Sequence, residues 1–259
     1  MILFLLAQAA APALATPAPP VDPGLAARYE KCLDLATDAP DQAIAEAGAW
    51  SNGGYFARQC RGMAYANLER WAAAASEFTA AAQQAEVARD ARAARYWAQA
   101  GNAWLAGGDA AKARAALDAA LASGALDGLA LGEARFDRAR ALVLLGDQKA
   151  ARLDIDAALK TASADPLLWL ASATLARRTG DLVRAKADAI EAYKRSSDDP
   201  AVLLEIGNIA YAAGDRAGAA SAWREVISRR PGSDQARLAE ERLQALGEAG
   251  DKPKPPDER

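Results

Sequence analysis

Histidine is absent from all 259 residues of the sequence. It is the commonest general base in proteins and the commonest metal ligand, so its absence excludes a Ser-His-Asp or Cys-His catalytic arrangement. The chain also lacks a phosphate-binding glycine loop, a Cys-x-x-Cys pair and a His-Glu-x-x-His motif. We therefore predict no catalytic residues, no metal site, no cofactor and no enzymatic activity. An enzyme with unfamiliar chemistry is the alternative.

Cysteine is scarce, since the chain has only Cys32 and Cys60, with 27 residues between them. In an exported protein the two thiols would form one disulfide bond. That bond would stabilise the fold by about 3 kcal/mol, because it restricts the unfolded chain. The alternative is a pair of separate buried thiols, since free cysteine often packs in a core.

Net charge is also small, at −3 from 31 basic and 34 acidic residues. This balance gives no electrostatic reason to expect binding to nucleic acid or to an anionic membrane surface. The apolar run near the start is too short to span a bilayer. We expect neither a nucleic-acid partner nor a membrane span in the mature chain.

The first residues are typical of a targeting segment. Residues 1–15 combine an apolar run, Ile2 to Leu6, with the cleavage-site pattern Ala13-Leu14-Ala15, and a proline-rich linker at 16–23 follows. No lysine or arginine follows Met1, so the usual basic start of a signal peptide is missing. The pattern predicts a periplasmic or secreted protein. A retained anchor, or a disordered tail on a cytoplasmic protein, is the alternative.

Alanine dominates the composition, with 72 residues of 259. It is the best helix former and is small enough to let helices pack closely. Large apolar residues are correspondingly sparse. This composition favours many thin layers of paired helices over one thick core.

A short phrase recurs in which a helix ends at glycine and the next begins after aspartate. It occurs at Gly107-Gly108-Asp109, Gly146-Asp147, Gly180-Asp181 and Gly214-Asp215. Glycine suits the left-handed position that ends a helix, and aspartate accepts hydrogen bonds from the free N–H groups of the following helix. Each phrase therefore predicts a helix end joined to a helix start.

Aligning the phrases also aligns a small residue, at spacings of 39, 38, 34 and 34 residues. These small residues are Gly62, Gly101, Ala139, Ala173 and Gly207. A second pattern follows each of them, in which an alanine precedes a fixed position by four residues. It reads Ala74-x3-Phe78, Ala113-x3-Leu117, Ala151-x3-Ile155, Ala185-x3-Ala189 and Ala219-x3-Trp223.

These units resemble the tetratricopeptide repeat, which has a 34-residue period and the pattern Trp-x2-Leu-Gly-x2-Tyr. The best match is Trp97-x2-Ala100-Gly101-x2-Trp104. The resemblance implies an all-α, right-handed superhelical solenoid of antiparallel helix pairs. We predict a degenerate helical pair at 24–54, a repeat array at 55–231, a capping helix at 232–247 and a disordered tail at 248–259. An alanine-rich bundle with coincidental turns is the alternative.

In the family that this chain resembles, the first helices of the units line a groove that holds a peptide. Carrying the register across predicts a partner-binding groove of Arg95, Gln99, Asn102, Phe136, Arg140, Arg177, Asn208 and Tyr211. Asparagine can both donate to and accept from a peptide backbone, and arginine binds carboxylates. The chaperone-binding clamp of the family is incomplete, because Ala98, Asp137, Leu167 and Ala171 occupy its positions.

Repeats and an export signal together predict an exported, non-enzymatic scaffold that binds proteins or peptides, as in assembly of a cell-envelope complex. A self-associating structural oligomer is one alternative. A cytoplasmic adaptor is the other, if the start of the chain is not a signal peptide.

Overall fold

A computed structural model of the chain describes residues 22–250 and places thirteen α-helices within them. The helices form two compact units, one up to Asp127 and one from Gly128 onward. The first unit contains α1 (Pro23–Asp38), α2 (Pro40–Gly48), α3 (Gly54–Asn67), α4 (Trp71–Val87), α5 (Ala93–Ala106) and α6 (Ala110–Ala122). The second contains α7 (Gly128–Leu144), α8 (Gln148–Ala158), α9 (Pro166–Arg178), α10 (Leu182–Arg195), α11 (Pro200–Ala212), α12 (Arg216–Arg229) and α13 (Asp234–Gly250). All regular secondary structure in residues 22–250 is helical, which confirms the predicted all-α class.

Some sequence predictions fall outside the described residues. They are the signal peptide at 1–15, all but the last two residues of the 16–23 linker, and residues 251–259 of the predicted tail. Among the helices that the structure does describe, none is long and apolar enough to cross a membrane.

The Gly-Asp phrases end one helix and begin the next. Their glycines adopt left-handed φ angles of 80° at Gly108, 84° at Gly146, 85° at Gly180 and 84° at Gly214. The aspartate that follows each glycine accepts a hydrogen bond of 2.8 to 3.0 Å from the backbone N–H three residues later. The same pattern of backbone torsions and caps therefore recurs in both units.

A second kind of cap opens three of the four helices that begin with proline in the described residues; the exception is α2, whose N-cap is Ala39. Asp165 and Asp199 each accept a 2.8 Å hydrogen bond from the N–H two residues later, and proline occupies the first helical position. Asp22 caps α1 in the same way, at 2.9 Å from the N–H of Gly24.

Within a helix pair, the small residue of the first helix faces the residue sixteen positions later on the second. A Cβ atom added to Gly62 would overlap Phe78, one on Gly101 would overlap Leu117, and one on Gly207 would overlap Trp223. All three large side chains are buried. Because glycine has no side chain, each of these positions leaves a space on the first helix, and the large partner side chain fills it.

The first unit is held at its start by a disulfide bond and aromatic rings. Cys32 of α1 is bonded to Cys60 of α3, with 6.0 Å between their Cα atoms. Both cysteines lie in a buried cluster with Trp50 and Phe56. The Tyr29 ring contacts the Phe56 ring edge-on, at 4.9 Å between centroids.

Two turns of the first unit have a left-handed residue that is not glycine. Glu69, between α3 and α4, has φ 56°, and Arg89, between α4 and α5, has φ 55°. These are the left-handed torsions that glycine adopts in the other turns, and a side chain there is strained. The helix between these two turns, α4, has 17 residues, against 13 or 14 in most of its repeat partners.

The second unit is rich in arginine–carboxylate contacts. Arg138 of α7 makes two 2.7 Å hydrogen bonds to Asp154 of α8.

The last described helix, α13, packs on the cluster that contains Trp223 through Leu238, Leu243 and Leu246. The helix α13 thus covers the last repeat pair.

Candidate partner-binding surface

Three predicted groove residues lie on one face of α5, because they are spaced by four and three positions. Arg95 and Asn102 are exposed, and Gln99 between them is half-buried. The Gln99 side-chain oxygen accepts a 3.4 Å hydrogen bond from Gln59, and its nitrogen lies 3.8 Å from the Met63 sulfur. The structure therefore brings these three residues together, with Gln99 anchored to α3.

A row of polar side chains continues from Gln99 across three helices. The Tyr29 hydroxyl of α1 donates a 2.6 Å hydrogen bond to the side-chain oxygen of Gln59 on α3. Gln59 in turn donates to Gln99 on α5. Gln59 is buried. Neither Tyr29 nor Gln59 was predicted: α1 lacks the repeat pattern that assigns positions to a face, and on α3 the pattern was used to place only Gly62.

A second cluster lies beside this row. Asp90 is buried and accepts a 2.7 Å hydrogen bond from the Tyr55 hydroxyl and 2.9 Å hydrogen bonds from the side chain and backbone N–H of Arg92. The Arg92 guanidinium lies 5.0 Å from the centre of the Phe56 ring. Arginine is thereby fixed between a carboxylate and an aromatic face, which restricts its motion.

These contacts shift the ionisation of the cluster. Burial, together with the hydrogen bond to Asp90, raises the pKa of Tyr55 to about 12. Burial alone would raise the pKa of Asp90, but hydrogen bonds from Arg92 and Tyr55 outweigh it, so that pKa is lowered. At neutral pH the cluster therefore contains a neutral phenol, a carboxylate and a guanidinium.

Tyr96 of α5 completes the aromatic part of this face. Its side chain is buried, and its hydroxyl lies beside that of Tyr29. Burial raises its pKa, and the neighbouring Tyr29 raises it further. At neutral pH the Tyr96 side chain is therefore a neutral phenol.

In the second unit, Phe136 and Arg140 lie one turn apart on α7. The Arg140 guanidinium is 6.0 Å from the centre of the Phe136 ring and 2.9 Å from the Asp137 carboxylate. Arg140 is exposed, whereas Phe136 packs partly into the core. The predicted pair is therefore together, with its cation accessible to solvent.

Two other predicted residues, Arg177 and Asn208, converge on a carboxylate that was not predicted. Arg177 of α9 donates hydrogen bonds of 2.6 and 3.2 Å to Glu205 of α11. Asn208 donates at 2.9 Å to the same carboxylate and accepts at 3.3 Å from the Trp223 indole N–H. Asn208 and Glu205 are both buried. In the free protein these side chains bond to one another.

Glu205 had a sequence signal that could have revealed it. It lies two residues before Gly207, as Gln99 lies two residues before Gly101. Both side chains bond to the neighbouring first helix, Gln99 to α3 and Glu205 to α9. The repeat register therefore identifies this position as one that joins successive units.

The last predicted residue, Tyr211, is 50% exposed on α11. Its ring centre lies 5.8 Å from that of Trp223. One side of the Tyr211 ring therefore packs toward Trp223 and the other faces solvent. A half-exposed tyrosine of this kind can stack on a side chain of a binding partner.

One further polar network was not predicted, and it lies between α8, α9 and α10. The buried Ser172 hydroxyl donates to Asp188 at 2.5 Å and accepts from Arg152 at 2.7 Å. Arg184 bonds to Asp188 at 3.2 Å and also to Asp156. Burial lowers the pKa of Arg152, and the nearby Arg184 lowers it further. Two arginines and two aspartates balance in charge, and the network joins the three helices.

Within residues 22–250 no group of three or more His, Cys, Asp or Glu side chains is placed to hold a metal ion. What the described surface offers chemically is a set of donors and acceptors beside aromatic rings. Side chains of this kind bind an extended peptide through hydrogen bonds, ion pairs and stacking.

Neither a protein-family model nor a curated protein sequence matches the chain. Solved structures do match it. PilW, a type IV pilus biogenesis factor, superposes with a TM-score of 0.71 at 17% identity, covering 84% of this chain and 99% of PilW. PilF of Pseudomonas aeruginosa gives 0.67 at 16% identity, covering 85% and 99%. YrrB, a TPR protein described as having an unusual peptide-binding site, gives 0.57 at 17% identity, covering 78% and 98%.

The fold is the tetratricopeptide-repeat fold. The sequence prediction of that fold is thereby confirmed for the helix pairs. At these identities the likeness concerns the tetratricopeptide architecture alone, since one fold carries many different binding partners.

Proposed function

We propose that this tetratricopeptide protein is an exported, non-enzymatic scaffold that binds segments of other proteins on the face of α5. The observation that carries the proposal is the exposed pair Arg95 and Asn102 beside the hydrogen-bonded row Tyr29–Gln59–Gln99. The amide and phenol side chains of this row are already held by hydrogen bonds to one another. They therefore lose little conformational entropy when a ligand backbone binds to them.

On the second unit, taken by itself, Arg140 and Tyr211 are the exposed candidates for contact with a partner. Arg177 and Asn208 would contribute differently, since they are bonded to Glu205. A ligand that reached them would have to replace those hydrogen bonds. We therefore assign the first contacts with a partner to the exposed residues.

Support for export comes from two sources. The Cys32–Cys60 disulfide is compatible with an oxidising compartment, where such bonds persist. The pilus biogenesis factor PilW shares the fold. Both the disulfide and the fold shared with PilW agree with a scaffold that helps to assemble a complex in the cell envelope.

The test is site-specific photo-crosslinking in the native cells. A photoreactive residue replaces Asn102 in one variant and Arg114 in a matched control, since Arg114 is also exposed but lies on the second helix, α6, beside Asp118. We expect the residue at 102 to capture extracytoplasmic proteins and the residue at 114 to capture none of them. Mass spectrometry of the same protein should place the mature N-terminus near Thr16.

Charge reversal then tests the assigned residues with the captured partner. Arg95→Glu and Arg140→Glu should each weaken its binding about tenfold, or about 1.4 kcal/mol. Binding that is unchanged by both variants would show that the surface is wrongly assigned. Crosslinks only between copies of the chain would favour the structural oligomer, and cytosolic partners with Met1 retained would favour a cytoplasmic adaptor.

A further inference from the structure

The helix α1 contributes one residue, Tyr29, to the hydrogen-bonded row of the partner-binding surface. Its hydroxyl donates the 2.6 Å hydrogen bond to Gln59, and Gln59 donates to Gln99. The other two members of the row lie on α3 and α5. The row is therefore complete only while α1 is packed against α3.

Few side chains hold α1 in that place. Of its 16 residues only Cys32 and Ala36 are buried, whereas α3 buries six of its 14 residues and α5 buries seven of 14. Helices of roughly this length gain most of their stability in proteins from packing of a buried face. The position of α1 therefore depends on a small number of contacts with its neighbours.

One of the two buried residues of α1 is a cysteine of the disulfide bond. Cys32 is 3% exposed, and its partner Cys60 is fully buried. Cys32 lies three residues after Tyr29 on α1, and Cys60 directly follows Gln59 on α3. Each cysteine is thus within one helical turn of the residue that begins or continues the row. The covalent bond fixes the two helices against each other beside the Tyr29–Gln59 hydrogen bond.

The other contacts that hold α1 are noncovalent. The Tyr29 ring packs edge-on against the Phe56 ring at 4.9 Å, and the Asn67 amide of α3 donates a 2.7 Å hydrogen bond to the Ala36 carbonyl. Leu33 is only partly buried against the cluster that contains the disulfide. Contacts of this kind open and close as a helix fluctuates, whereas a disulfide persists until it is reduced.

We propose that oxidation of Cys32 and Cys60 positions Tyr29, so that the partner-binding surface of the first unit is complete only in the oxidised chain. The inference rests on the proposed function, because it concerns the regulation of that same surface. A chain in a reducing compartment would bind its partner weakly, and an exported chain would bind it after oxidation.

The bond forms by thiol–disulfide exchange with an oxidant that is itself a disulfide. The thiolate of one cysteine attacks the oxidant, which forms a mixed disulfide and releases one of its sulfurs as a thiol. The thiolate of the other cysteine then attacks the mixed disulfide, closes the Cys32–Cys60 bond and releases the second sulfur as a thiol. Two electrons and two protons thus pass from the cysteines to the oxidant. The finished bond is buried, so dissolved thiols reach it only when α1 opens.

The first measurement follows Tyr29 itself and needs no partner. The full chain is labelled with 3-fluorotyrosine, and Tyr29→Phe identifies the Tyr29 signal in the fluorine NMR spectrum. The labelled protein is reduced in denaturant and refolded with or without glutathione disulfide. We expect the signal of the reduced chain to shift toward that of an exposed tyrosine and to return to its original position on oxidation. Circular dichroism, with hydrogen exchange in α5 and α6, confirms that the repeats fold in both states.

The second measurement follows binding in the native cells, through the photoreactive residue at position 102. Cys32→Ser with Cys60→Ser should lower the yield of captured partner per chain about tenfold, equivalent to about 1.4 kcal/mol. Tyr29→Phe should lower the yield in the oxidised chain but should lower it no further in the cysteine variant, because Tyr29 is already displaced there. Tyr65→Phe is the matched control, since Tyr65 is a half-buried tyrosine outside the row, and it should leave the yield unchanged.

A Tyr29 signal that is the same in the reduced and oxidised chains would overturn the proposal, because α1 would then keep its place without the bond. So would a shifted signal with unchanged capture, or losses from Tyr29→Phe and the cysteine variant that add. Failure of the natural chain to capture any partner at position 102 would contradict the proposed function instead. The Tyr29 signal would in that case still show whether the disulfide positions the row.

Discussion

Residues 22–127 and residues 128–250 build the same kind of helix pair, but the first unit adds a disulfide and a cluster of aromatic rings where the second relies on arginine–carboxylate networks. In the first, Cys32–Cys60 and the Tyr29–Phe56 contact join α1 to α3. In the second, Arg152 and Arg184 join α8, α9 and α10. Both units contain ion pairs, so the difference lies in what is added.

The difference follows the regularity of the repeats. Each of the three turns Gly146-Asp147, Gly180-Asp181 and Gly214-Asp215 in the second unit has a left-handed glycine and a capping aspartate. In the first unit only Gly108-Asp109 has both. Regular repeats thus gain stability from local caps that recur, while an irregular start needs links between residues far apart in sequence.

The largest expected effect comes from the core of the second unit. Trp223 is 2% exposed and fills the space above Gly207. Trp223→Ala should lower the free energy of unfolding by about 4 kcal/mol, because it leaves a large cavity. Urea denaturation measures the loss, and hydrogen exchange should locate it in α11 to α13.

Trp169→Ala is the control for that substitution, since Trp169 is only half-buried in the same unit and bonds to the Ser163 carbonyl at 2.8 Å. It should cost about 1 kcal/mol. Equal losses from the two substitutions would contradict the assignment of Trp223 to the repeat core.

The next effect concerns the link that the second unit lacks. Cys32→Ser with Cys60→Ser should lower the free energy of unfolding by about 3 kcal/mol, since the unfolded chain regains the freedom of a long loop. Faster hydrogen exchange is expected in α1 to α3. Reduction of the natural protein should reproduce the loss. If exchange instead rose equally in α7 to α13, the bond would not be specific to the first unit.

The sequence predicts the recurring parts of this structure well and the pairings between repeats poorly. The Gly-Asp turns and the small residue at Gly207 follow from local backbone chemistry, which one repeat displays by itself. That Arg177 and Asn208 share Glu205 depends on which helices become neighbours.

A smaller effect separates packing from helix propensity. Gly207→Ala places a methyl group against the Trp223 indole, and should cost about 2 kcal/mol despite the better helix propensity of alanine. In a Trp223→Ala background the same change should stabilise by about 1 kcal/mol, because the clash is gone and the propensity remains. A double-mutant cycle by urea denaturation measures this coupling. Additive effects would show that the two positions do not pack on each other.

The smallest effect transfers a turn of the second unit into the first. Glu69 and Arg70 have the backbone torsions of the Gly-Asp phrase, with φ 56° at Glu69 and φ −82° and ψ 63° at Arg70, but no side-chain cap. Glu69→Gly with Arg70→Asp removes the left-handed strain and supplies a cap. We expect the free energy of unfolding to rise by an amount on the order of 1 kcal/mol. The gain is limited because glycine also makes the unfolded chain more flexible.

The reverse exchange, Gly146→Glu with Asp147→Arg, sharpens the comparison, because Asp147 has φ −86° and ψ 72° and caps Ala150 at 3.0 Å. It should lose about as much as the first exchange gains, on the order of 1 kcal/mol by urea denaturation. Opposite signs of similar size would mean that the two units differ at these turns only in their side chains. If both exchanges destabilised the protein, Glu69 and Arg70 would have to make contacts in the first unit that outweigh the strain at that turn.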